Sequence, residues 1–392
     1  MTQIPHNALH EGWPQKLADW VLDNGKKRFL LPLSLVTGLK LLVAYGVYAL
    51  AIQGGEAFAT FWMGEWGVKP QPDWPFLFHS WDSAWYVRIA KTGYSYPAYA
   101  FFPAYPLLIR AGSALTGEYW ASSMIVSFSL GTLAVPMFQV LAEHYVGRRE
   151  AAVSTLLFGL FPSTFFFTSI AYTESLFAVT ILGTWILCLR KRYLSSTVLA
   201  AIAAVTKVYG VLIALPLAMS TFDQHDRKNA LLALLVPSAT ILAWSSYLFI
   251  LTGDWMAYWS SQDYWKKGWP FGINSIVRFI VESTGTAEKG VVGLGTTCVI
   301  IILLFIVVLF GVLVVASLDV DKDFGTYATL LFLFLTTFGN VWSFFRFFPF
   351  IMPVWLTLKT KSVFVPIAAI LVFPVISFAI WYRFVVLGIW LG

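Results

Sequence analysis

Between His79 and Tyr94 a single carboxylate, Asp82, stands among Trp81, Trp85, Tyr86, Arg88 and Lys91, and the stretch closes with Phe101-Phe102-Pro103-Ala104-Tyr105-Pro106. Amphipathic rings in this density partition to the headgroup level of a bilayer rather than to a solvated loop. Asp82 is therefore expected to be an acid held at a membrane surface. A helix over Phe78–Thr92 would place His79, Asp82 and Tyr86 at i, i+3 and i+7 on one side, leaving Trp81, Trp85 and Ile89 to seat in lipid or protein. The competing account of Asp82 is a helix cap, or a structural ion pair with Arg88 or Lys91.

Three further charges stand where charge is expensive. Glu174, in Ser169-Ile170-Ala171-Tyr172-Thr173-Glu174-Ser175-Leu176-Phe177, falls at or inside the end of an apolar run and needs a polar cavity, or else stabilises a helix end. Lys207 interrupts an apolar segment, and Arg346 sits in Trp342-Ser343-Phe344-Phe345-Arg346-Phe347-Phe348-Pro349. Either cation could hold a lipid-linked phosphate, guanidinium doing so bidentately, or could snorkel to the interface. Gln262, Tyr264, Trp265 and Trp269 could stack on a sugar ring, and an interfacial aromatic belt explains them as well. The acidic run Asp319-Val320-Asp321-Lys322-Asp323 reads as a solvated cytoplasmic turn. No glycine-rich phosphate loop and no His-Glu-x-x-His occurs, which argues against a nucleotide-activated donor.

The elements that must position these residues are membrane spans. Hydrophobic residues make up 58% of the 392, charged residues 12%, and mean hydropathy is +0.74. A soluble domain would carry about 25% charged residues. The chain is expected to be a single all-α polytopic membrane domain over residues 1–392, inserted by its first span without a cleaved signal peptide. The net charge of +6 falls in short clusters between apolar runs, the pattern that sets topology, so no nucleic-acid partner is expected. The clusters Lys26-Lys27-Arg28, Arg148-Arg149, Arg190-Lys191-Arg192 and Arg227-Lys228 then lie in the cytoplasm.

Spans are expected at about 29–52, a second ending before Arg148, an outward crossing near Phe165, a return to Arg190, two short helices over Tyr193–Ser220, and 229–251, 291–315, 327–344, 347–358 and 362–386. This makes roughly eleven, with two large non-cytoplasmic loops, residues 53–118 and 252–290, carrying short interfacial helices. Cys188 and Cys298, each inside an apolar run, suggest neither a disulfide nor a metal site. The lack of an Asn-x-Ser/Thr sequon favours a bacterial cell membrane.

Trp81-Asp82 with Tyr86, Ile89-Ala90, Gly93-Tyr94 and Phe101-Phe102-Pro103-x-Tyr105-Pro106 resembles the first luminal loop of the PIG-V family of GPI mannosyltransferases, within the GT-C superfamily of membrane glycosyltransferases. The resemblance continues in Pro162-Ser163, in Tyr172 to Phe177, in Lys207-x-Tyr209-Gly210 and in Arg346-Phe347 with Pro349 and Pro353. It implies a GT-C-like bundle and inverting transfer of a sugar, mannose first, from a polyprenyl-phosphate donor to a cell-envelope glycolipid, glycan or protein on the non-cytoplasmic face. Asp82 then takes the place of the general base. Lys207 and Arg346 are donor-phosphate ligands, and Glu174, His79 and Arg88, with Trp81, Tyr86, Gln262 and Trp265, line the substrate site. Many superfamily members carry two adjacent acids and some need a divalent metal. Here Ser83 follows Asp82, and no metal or other cofactor is expected. The alternative from another class is a transporter or flippase of a polyisoprenoid-linked lipid, motivated by the intramembrane Glu174 and Lys207.

Overall fold

The computed structural model describes residues 27–53, 74–266, 294–338, 344, 346–360 and 362–387, all helix, turn and connection, with no strand among them. Among the described residues, four helices are long and apolar enough to cross a bilayer: α1 (Lys27–Gln53), α4 (Tyr119–Tyr145), α10 (Arg227–Thr252) and α14 (Phe364–Trp381, continued by a π turn at Tyr382–Val386). The all-helical, multi-pass expectation is borne out. The first of these spans runs within two residues of the expected bounds, and α10 also lies close to its own.

Between them lie the shorter helices α2 (Asp82–Thr92), α3 (Ala104–Thr116), α5 (Arg148–Leu160), α6 (Pro162–Phe167), α7 (Glu174–Leu189), α8 (Tyr193–Ala204), α9 (Ala214–Asp223), α11 (Ala257–Lys266) and α13 (Lys322–Phe338), and the 24-residue α12 (Leu294–Ser317). The outward crossing expected near Phe165 is the pair α5 and α6, parted at Phe161 and Pro162. Proline is tolerated at the first position of α6 because the N–H it lacks would have no partner there. The chain then turns over Thr168–Thr173 and returns as α7. At ~1.5 Å per residue α7 spans roughly 24 Å, short of the ~30 Å hydrocarbon layer. α7 alone is therefore too short to cross the layer from one boundary to the other.

The segment Tyr193–Ser220 is interrupted as expected. After α8 a 3-10 turn, Val208–Ile213, begins at Lys207, and α9 follows. Gly210 is required there, since a Cβ at that position would lie 2.1 Å from the Ala203 carbonyl oxygen. The span expected at 347–358 is not formed. Those residues make two 3-10 turns, Phe348–Phe350 and Met352–Thr357, buried in the protein. Pro349 and Pro353 withhold two backbone donors, and twelve residues are too few to cross.

The core is aromatic and packs α4 against α1, α3, α5 and α7, with α14 lying on α1, α5 and α6. Arg28 at the start of α1 pairs with Glu143 near the end of α4 at 3.6 Å, so these two helices run antiparallel.

Candidate active site

Asp82, Glu174, Lys207 and Arg346 emerge where a helix begins or breaks. Asp82 is the first residue of α2, Glu174 the first of α7, Lys207 caps the 3-10 turn between α8 and α9, and Arg346 precedes the turn at Phe348. Irregular backbone at this depth is tolerated only where protein buries it or a polar cavity receives it. The two acids also sit at positive helix ends, where the unpaired N–H groups favour negative charge.

The four side chains meet. Arg346 Nη1 donates to Asp82 Oδ2 at 2.9 Å and Arg346 Nε donates to Glu174 Oε1, while Lys207 Nζ donates to the same Glu174 oxygen at 3.1 Å. The result is two cations against two carboxylates, assembled from four separate stretches of chain. Exposure is graded: the Glu174 side chain is 0% exposed, Arg346 5%, Lys207 10% and Asp82 17%. Asp82 is therefore the most exposed member of the cluster.

Aromatic rings wall the cluster. The Arg346 guanidinium lies 4.5 Å from the centre of the Tyr172 ring, and Lys207 Nζ 4.8 Å from that of Phe347, distances at which ring quadrupoles attract cations. The Tyr172 hydroxyl accepts from the Asp82 backbone N–H at 3.2 Å. Tyr86 reaches Thr173 Oγ1 at 3.4 Å and packs on Phe101, Tyr105 and Tyr172. Burial, and next the Asp82 charge, hold the Tyr86 phenol well above its ordinary pKa, so it serves as a neutral hydrogen-bonding group.

The approach to Asp82 is fixed on both sides. Trp81 adopts φ 51°, a left-handed conformation that a bulky residue takes only under constraint and that costs on the order of 1–3 kcal/mol. This kink turns the chain from the preceding segment into α2. The Ala171 N–H donates to the Phe78 carbonyl at 2.7 Å, and Ala104 N–H to the Val205 carbonyl at 3.0 Å. The segment that carries α2 is thus tied to the hairpin tip that leads to Glu174 and to the break that bears Lys207.

Not every residue expected at the site joins the ionic cluster. The helix begins at Asp82 rather than Phe78, so the proposed face His79/Asp82/Tyr86 does not form. His79 precedes the helix, and its Nε2 bonds with Ser123 Oγ at 2.7 Å and the Trp120 carbonyl at 3.1 Å on α4. Asp82 pairs with Arg346, not with Arg88 or Lys91. The Arg88 guanidinium lies 5.7 Å from the ring of Trp85 on its own helix, and Trp81 packs against Phe384. Gln262 on α11 donates to the Ala100 carbonyl at 3.4 Å, which docks α11 on the segment that follows α2. The Trp265 side chain and Trp269 lie outside the described residues.

Two residues went unremarked in the sequence as site members. Tyr172 underlies Arg346, and its place two residues before Glu174 was the available signal. Lys40, a lone base midway along α1, is 1% exposed and bonds the hairpin tip at Thr168.

Residues 76–227 match the family model described as mannosyltransferase (PIG-V), a stretch that holds Asp82, Glu174 and Lys207 and ends before Arg346. No curated protein sequence matches the chain. Among solved structures, ArnT from Cupriavidus metallidurans bound to undecaprenyl phosphate aligns at 14% identity with a TM-score of 0.46. That alignment covers 84% of this chain and 59% of ArnT, so the chain spans under two thirds of the other protein's length.

Proposed function

We infer that this chain is a membrane glycosyltransferase related to the PIG-V mannosyltransferases, transferring a sugar, mannose first, from a polyprenyl-phosphate donor to a cell-envelope acceptor. The observation that carries this reading is the Asp82–Arg346–Glu174–Lys207 cluster inside and beside the segment that matches the family. A lipid-linked phosphodiester brings one negative charge to a membrane boundary, and Arg346 and Lys207 are two cations waiting there. Asp82, the most exposed member, is the group that can meet an acceptor hydroxyl.

In the reaction the acceptor oxygen attacks the anomeric carbon, its proton passes to Asp82, and the bond from that carbon to the phosphate oxygen breaks. The electron pair leaves with the phosphate, which Arg346 and Lys207 hold. Attack opposite the leaving phosphate inverts the anomeric centre. Glu174 keeps the two cations together when no donor is present.

The site sits at the end of α5–α6 and α7 opposite Arg148-Arg149 and Arg190-Lys191-Arg192. By the charge rule for membrane loops, those bases are cytoplasmic and the site faces the other side of the cell membrane. We read the reaction as independent of a divalent metal, because Asp82 and Glu174 each commit an oxygen to a cation and no group of three His, Cys, Asp or Glu forms among the described residues.

The test is to supply purified protein with radiolabelled polyprenyl-phosphate-mannose and an envelope extract. Label in a new glycosidic product with the inverted anomer supports the reading. Transbilayer movement of intact donor without a new bond would identify a flippase instead.

A further inference from the structure

A lysine midway along a membrane span costs a few kcal/mol, yet stability gives no reason for Lys40. It lies on the buried stripe of α1 formed by Val36, Val43 and Val47. Among the described residues it has no carboxylate partner. Its Nζ donates to Thr168 Oγ1 at 2.7 Å and reaches the Thr168 carbonyl at 3.5 Å. A methionine would fill nearly the same space without a polar end.

Thr168 directly follows α6 and opens the hairpin tip, and three elements converge on it. Its hydroxyl donates to the Thr164 carbonyl at 2.6 Å and so presents its lone pairs to Lys40. Its carbonyl also accepts from Ser175 Oγ at 3.2 Å, and Ser175 directly follows Glu174. On the third side α4 approaches so closely at Gly131 that a Cβ there would lie 2.0 Å from the Thr168 carbonyl oxygen. Of the six residues between Thr168 and Ser175, the last three, Tyr172, Thr173 and Glu174, contact Asp82, Tyr86, Arg346 and Lys207.

We propose that Lys40 is a positioning residue for the active site: by anchoring Thr168 it sets the first turn of α7, and with it the Glu174 carboxylate that aligns Arg346 and Lys207. Its effect on substrate rests on the function proposed above, whereas its effect on the hairpin tip does not. Lys40 touches no reacting group itself.

Two measurements on the full chain in detergent test this. Hydrogen exchange should become at least tenfold faster over residues 168–175 in Lys40→Met, with the rest of the chain and the thermal midpoint unchanged. Binding of polyprenyl phosphate should weaken about 10- to 100-fold, as expected when a ligand-orienting group is displaced. Thr168→Val should weaken it alike, and the double variant no further than either single one. Lys40→Arg, which keeps a donor to Thr168, should recover part of the loss.

Unchanged exchange over 168–175 in Lys40→Met would overturn the inference, as would strictly additive losses in the double variant. If Lys40→Met fails to fold, Thr168→Val alone decides by the same two readouts. Failure of the wild type to bind polyprenyl phosphate would remove the functional reading, and the exchange measurement would still judge Lys40.

Discussion

Arg346 and Lys207 are buried against two carboxylates, whereas Lys40 is buried against a single threonine. Both arrangements put bases in an apolar interior, and they differ in what each removal leaves behind. In the cluster every charge is balanced, so deleting one member strands another in a low-dielectric site. At Lys40 no opposite charge is left over, and a neutral replacement strands only the lone pairs of Thr168. The cluster is also partly engaged with itself: on the function proposed above, an incoming phosphate competes with Asp82 and Glu174 for the Arg346 guanidinium. Charge balance thus stabilises the empty site while opposing its ligand.

The contrast is broken most severely at Glu174. Glu174→Leu leaves Arg346 and Lys207 with Asp82 as their remaining partner and should cost about 3–5 kcal/mol of stability, read as a large drop in the thermal midpoint. Lys40→Met should leave that midpoint nearly unchanged, and equal losses at both positions would erase the distinction. A milder change is Arg346→Lys, which keeps the charge but loses the planar fork that spans Asp82 and Glu174. Polyprenyl phosphate should then bind roughly tenfold more weakly at little cost to folding, the loss of one charge-assisted hydrogen bond. The smallest expected effect is none: a divalent-metal chelator should leave sugar transfer unaltered, and inactivation reversed by added metal would refute the metal-free reading.

The sequence made the cost of these charges visible and hid their pairing. Asp82, Glu174, Lys207 and Arg346 stand out because ionised groups in apolar surroundings demand partners. Their partnership joins residues far apart along the chain, and nothing in local periodicity carries that information. His79 was misplaced for a local reason: the strained backbone at Trp81 starts α2 at Asp82, so the heptad-like spacing from His79 never becomes a helix face.

Long spans such as α1 and α10 were legible from apolar length alone, since about 20 residues suffice to define them. The expected crossing over 347–358 failed because hydropathy does not distinguish a lipid-facing run from one buried in protein, while the two prolines there did signal the outcome. Lys40 escaped notice because one base barely alters the hydropathy of a 27-residue helix. Its importance lies in the turn it meets, which only the fold reveals.

The measurement that tests the central claim most directly is Asp82→Asn assayed for both sugar transfer and binding of polyprenyl phosphate. Removing the base should lower transfer by roughly 10²–10⁴-fold. Binding should be retained or tightened several-fold, because the phosphate no longer competes with the Asp82 carboxylate for Arg346. Wild-type transfer by Asp82→Asn would contradict the assignment of Asp82 as base.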